Sequence, residues 1–133
     1  MYHLKVYLSM LFCFFAVDLL WLGVVARGFY QKQLGFLLRP SPNWTVAILF
    51  YLIYITGILV FVVSPALQAE SWRKAALLGA FFGFITYATY DLTNHATVKG
   101  WPWIVSVVDL SWGTVLCSTV ALSGYLAGRW LSS

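Results

Sequence analysis

Charge is what this chain has least of. Of its 133 residues eight are Lys or Arg and four are Asp or Glu, so 9% are charged against 62% hydrophobic. A soluble domain needs a surface about a quarter to a third charged, and twelve such residues cannot supply it. A soluble globular fold is therefore excluded. Cysteine is nearly absent as well. Cys13 and Cys117 both lie in apolar runs without a CxxC or a His-rich neighbour, which argues against a disulfide framework or a cysteine metal site. There is no HExxH, and no second histidine stands beside His95, so neither a metal nor a cofactor is expected. The net charge of +4 is spread along the chain without a basic block, and no nucleic-acid partner is expected.

What the chain has instead is apolar length. Mean hydropathy is +0.84, and four long apolar runs cover residues 4–26, 44–63, 75–98 and 103–126. At 1.5 Å per residue the first, roughly 23 residues, reaches about 34 Å, enough to cross a ~30 Å hydrocarbon core. Residues 24–26 (VVA) faintly resemble a signal-peptidase site, but the run before them is long and carries Asp18, so it reads as a retained span. Short connections between four spans predict an all-α integral membrane protein. The expected architecture is a four-transmembrane-helix up-down bundle, a single membrane domain over 1–133. An aromatic content of 19%, with seven Trp, suits the enrichment of Trp and Tyr at membrane interfaces.

The connections carry their own signals. Residues 27–43 are basic and hold an apolar set at Phe29, Tyr30, Leu34, Leu37 and Leu38. That spacing predicts an interfacial helix or lid over about 28–38, ended by Pro40 and Pro42. Asn43-Trp44-Thr45 matches a glycosylation pattern formally but abuts a span, and reads as coincidence. Pro65 marks the expected end of the second span, which reads as the one least suited to chemistry. Lys99-Gly100-Trp101-Pro102 predicts a tight turn between the third and fourth spans. Two glycine pairs at GxxxG spacing, Gly79/Gly83 and Gly124/Gly128, predict close helix packing.

The candidate site begins with polar residues where none are expected. At the end of the third run stand Tyr87, Tyr90, Asp91, Thr93, Asn94 and His95. In a helix Tyr87, Asp91, Asn94 and His95 fall on one side. Chain reversal brings two further aspartates to the same level. Asp18 lies eight residues before Ala26, Asp91 seven before Val98 and Asp109 seven after Pro102, so each lies about 10–12 Å below one membrane surface. An unpaired charge there costs roughly 2.5–3.5 kcal/mol on the permissive insertion scale. The segments VDLLW at 17–21 and VDLSW at 108–112 match at four of five positions. Each sets a Trp, Trp21 or Trp112, on the same helix side as its Asp.

Two readings of these residues compete. One is a hydrogen-bonded polar knot that locks the helices together. The other, preferred, is a polar cavity opening toward the surface that bears Arg27, Lys32, Arg39 and Lys99. Close carboxylates share protons as a coupled set, and Trp21, Trp112, Tyr87 and Tyr90 add cation–π faces. The chemistry favours binding, or proton-coupled transport, of a small cation or polar or amphiphilic solute. Two alternatives remain open. One is a membrane-embedded enzyme acting on a lipid, with Asp91 and His95 as acid and base. The other is a structural partner of another membrane protein, using its glycine faces.

The segments YATYDLTNHATVKGWP and VVDLSWGTVL, with VDLLWLG, PNW and FYLIY, resemble a bacterial family of small four-span membrane proteins of unknown function. The resemblance covers nearly the whole chain and implies a bacterial inner-membrane setting, with no activity or substrate attached. The expected partners are the lipid bilayer and a small-molecule or lipid ligand. Lys5, Arg73, Lys74 and Arg129 fall on one side of the membrane and Arg27, Lys32, Arg39 and Lys99 on the other. The positive-inside rule thus decides no orientation, and the tie is compatible with dual insertion and an antiparallel homodimer.

Overall fold

A computed structural model describes residues 2–38 and 43–132. Arg39, Pro40 and Pro42, and the side chain of Arg27, lie outside the described residues. Four helices are long and apolar enough to cross a membrane: α1 (Tyr2–Val25), α3 (Trp44–Gln68), α4 (Trp72–Thr97) and α5 (Trp103–Ser132). A short helix, α2 (Arg27–Leu34), follows α1. Among the described residues every regular element is helical. The protein is an all-α membrane bundle.

The helix ends follow from local chemistry. Asn43 caps α3 by accepting from the Val46 amide at 3.3 Å, and Ser71 caps α4 by accepting from the Lys74 amide at 3.1 Å. The formal glycosylation match at Asn43 is thus a helix start. The last turn of α1, Trp21–Val25, widens into a π-turn closed by the Ala26 amide on the Trp21 carbonyl at 2.7 Å. The turn after α4 places Gly100 at φ 78°, a backbone conformation open to a residue without Cβ.

Pro65 does not end the second span. The helix runs through it to Gln68, after a π-turn at Leu59–Val63. Proline lacks an amide hydrogen and its ring crowds the carbonyl one turn back; the widened turn just upstream takes up that mismatch. The third and fourth spans also outrun their expected limits, α4 starting at Trp72 and α5 continuing to Ser132. The apolar segment expected over 28–38 is helical only to Leu34, with Leu37 and Leu38 amides turning back on the Leu34 carbonyl.

α5 is the axis of the bundle and packs along α4 and α1. Its contact with α4 is backbone on backbone. A Cβ at Gly83 would sit 2.0 Å from the Gly113 carbonyl oxygen, and one at Gly79 would sit 2.8 Å from that of Cys117. On the other side, Gly124 receives Met10 and Gly128 receives Leu67 and the Tyr2 hydroxyl. Both glycine pairs are therefore used within the bundle. The dry centre gathers Met10, Phe14, Ile55, Ile58, Leu116 and Val120, while Phe12, Leu77 and Val107 face outward as lipid-facing side chains should. Trp44, Trp72, Trp103 and Trp130 stand exposed at or near helix ends, where an interfacial belt belongs.

Candidate functional site

At the end of the bundle where α1 turns into α2, two carboxylates face one another across a cavity of about 250 Å³. Asp18 comes from α1 and Asp109 from α5, each with 8% of its surface exposed. The surrounding wall is aromatic, with Trp21, Tyr30, Tyr51 and Trp112 nearest the acids.

The two VDxxW segments build this site by exchange. Trp112, of the second copy, donates its indole N–H to Asp18 Oδ1, of the first, at 3.4 Å. Trp21, of the first copy, donates to the Tyr30 hydroxyl at 3.2 Å, and that hydroxyl donates to Asp109 Oδ1, of the second. In the cavity wall the two indoles stack, with centroids 4.3 Å apart and planes 8° from parallel. Antiparallel helices explain the swap: Trp112, three residues beyond its Asp, reaches the other helix's acid directly, and Trp21 reaches it through Tyr30. The π-turn at Trp21–Val25 sits where it shifts the first indole relative to an ordinary helical register.

Tyr30 is delivered by α2, which folds back over the bundle end. Its Leu34 packs with Trp101 and Val105, beside Phe29 and Val98. Burial, and next the hydrogen bond to Asp109, push the Tyr30 hydroxyl above its ordinary value, so it remains a donor throughout the physiological range. Asp18 is held more loosely. Besides the Trp112 contact it accepts from the Tyr51 hydroxyl at 3.5 Å, and both bonds are at the long limit of the interaction.

Asp91 lies beside this cavity and outside its wall. It is fully buried on α4, and among the described residues neither of its side-chain oxygens has a hydrogen-bond partner; the Asp109 carboxyl is a near neighbour. Its stretch of helix is pinned by a relay from the Trp101 indole to Ser106 Oγ at 3.1 Å and from Ser106 to the Asp91 carbonyl at 3.4 Å.

Of the residues singled out in the sequence, the structure gathers Asp18, Asp109, Trp21, Trp112 and Tyr87 around one cavity and sets Asp91 behind Asp109. Tyr90 faces a neighbouring crevice between α3 and α4. Thr93 and His95 are exposed and Asn94 is half-buried. The helix side of Asn94 and His95 is continuous with Asp91, but α4 ends at Thr97, so the same side leaves the bundle one turn later. Among the described residues, no group of three His, Cys, Asp or Glu is placed to hold a metal ion. Lys32 and Lys99 are exposed at this end of the molecule.

Tyr30 and Tyr51 were not among the residues singled out. A signal for Tyr51 existed: it and Tyr54 carry phenols deep in a span without charged side chains, and buried phenols need partners. Tyr54 finds two, Thr86 Oγ1 at 2.6 Å and Cys117 Sγ at 2.9 Å. The second span, expected to carry least chemistry, thus supplies part of the site wall.

No curated protein and no solved structure matches the chain. A family model described as "Predicted membrane protein (DUF2177)" matches residues 3–126. This chain, a four-span helical membrane protein, belongs to that family.

Proposed function

We propose that the chain binds a small organic cation in the Asp18/Asp109 cavity and exchanges it against protons, as a carrier in the bacterial inner membrane. One observation carries the reading: two carboxylates, one of them held only by hydrogen bonds at the long limit, and a stacked indole pair line one cavity below the membrane surface. Carboxylates at that depth need a counter-charge or a proton, and an organic cation is also attracted to indole and phenol faces. The fully buried Asp91, whose side-chain oxygens have no hydrogen-bond partner among the described residues, supplies a place for a proton beside the cavity. The fourfold tie of basic residues on each side supports assembly as an antiparallel homodimer.

Calorimetric titration of tetraethylammonium into the purified protein in nanodiscs tests the reading. Asp18→Asn and Asp109→Asn should each weaken binding about tenfold or more, which is ~1.4 kcal/mol. Repeating the titration in buffers of different ionisation enthalpy should reveal proton release on binding, and Asp91→Asn should diminish that release while binding persists. Equal affinity in wild type and both variants would remove the carboxylates from the site.

A further inference from the structure

A second space adjoins the carboxylate cavity, and its shape bears on what the cavity holds. α3 and α4 are not flush along their length. They pack around Leu59–Val63, and toward the α2 end contact passes to Tyr54, whose hydroxyl meets Thr86 and whose ring lies 5.5 Å from Phe82. Past that point the helices part into a crevice of about 580 Å³, lined by Phe50, Tyr54, Thr86, Tyr87, Thr89 and Tyr90. Phe50, Thr89 and Tyr90 are exposed, so the crevice opens sideways, toward lipid.

Its walls are more apolar than their composition suggests. Thr89 donates its hydroxyl to the Ile85 carbonyl of its own helix at 2.8 Å, and the Thr86 hydroxyl is engaged by the Phe82 carbonyl at 2.9 Å and the Tyr54 hydroxyl at 2.6 Å, so these hydroxyls are satisfied within the protein. Phe50 and Tyr87 line both spaces and form the septum between them. One side of that septum carries two carboxylates; the other is an apolar slot open to the bilayer. Among the described residues no Lys or Arg lines either space.

The geometry points to an amphiphilic organic cation as the occupant, its charged head between Asp18 and Asp109 and its hydrocarbon part in the α3–α4 crevice, reached sideways from the membrane. This rests on the cation reading of the cavity and narrows it from small cations in general to those bearing an apolar chain. Charge complementarity fixes the head, and the crevice's position directly across the shared Phe50 and Tyr87 wall fixes where the chain lies. The cavity alone, about 250 Å³, falls below the ~300–1,000 Å³ usual for ligand pockets; the crevice beside it, about 580 Å³, lies within that range.

The test compares a head group with and without a chain. Tetraethylammonium and decyltrimethylammonium, the latter below its micellar concentration, are titrated into wild type and Thr89→Trp protein in choline-free nanodiscs, with empty nanodiscs as blank. Thr89 faces lipid, so Trp fills the crevice without disturbing the core. The expected result is about tenfold weaker binding of the decyl compound by Thr89→Trp, with tetraethylammonium changed less than about twofold. Wild-type protein provides the second measurement: a decyltrimethylammonium carrying a photoactivatable diazirine on its chain should label the crevice residues, and Asp18→Asn/Asp109→Asn should abolish that labelling. If tetraethylammonium binds wild type but the decyl compound is indifferent to Thr89→Trp and labels elsewhere, the crevice assignment is overturned while the cavity reading stands. If neither cation binds, both are overturned. Labelling of the crevice by a photoactivatable phospholipid that the decyl compound cannot displace makes the crevice a lipid site and overturns the assignment.

Discussion

At the scale of single residues, the glycines of α4 and α5 set the tightest constraints. Gly83 lies against the Gly113 backbone, and Gly113 lies under the Tyr87 ring, which a Cβ would meet at 2.3 Å. Because Tyr87 lines the cavity, packing and site share a boundary here. Gly83→Ala must push α4 from α5, and overpacking of this kind costs about 1–3 kcal/mol; thermal unfolding in detergent should show the loss, while Gly23→Ala, with open space around its Cβ, should not. The acids were legible in the sequence because an aspartate inside an apolar run has no ordinary explanation. Tyr30 and Tyr51 were not, because a tyrosine near a membrane boundary does, and only the helix arrangement tells which acid its hydroxyl reaches. His95 illustrates the opposite error: helical spacing set it beside Asp91 correctly in angle, but angle does not say where the bundle stops.

At the scale of elements, irregular turns position the site. The π-turn at Trp21–Val25 leads into α2, and α2 is the sole source of the Tyr30 hydroxyl that Asp109 accepts from. Tyr30→Phe removes that donor and leaves the ring, so cation affinity should change at the Asp109 side without loss of fold; a titration that matched wild type in affinity and proton release would show that α2 only covers the site. The start of α4 is set by one side chain. Ser71→Ala forfeits the bond to the Lys74 amide and should destabilise the protein by about 0.5–2 kcal/mol, readable as a lowered melting temperature. Helix number was legible from the length of the apolar runs. Helix ends were not, since the sequence shows Pro65 but not the widened turn upstream that lets the helix carry on through it.

At the scale of the whole molecule, the first and last spans meet through repeated pentapeptides whose Trp side chains serve each other's acids. The repeat was legible as letters; its meaning required knowing that α1 and α5 are antiparallel neighbours. Charge balance predicts two insertion orientations: cysteines placed at Ser132 and at Lys99 should each be labelled from both faces of intact membranes, and labelling from one face alone would remove the basis for an antiparallel dimer. The stacked pair Trp21–Trp112 also gives the molecule a built-in optical reporter. Two indoles in such contact couple their electronic transitions, so whatever wedges them apart changes the near-ultraviolet circular dichroism of unlabelled protein. Trp112→Phe would silence that signal and, with it, mark every remaining spectral change as coming from somewhere other than the junction of the first and last helices.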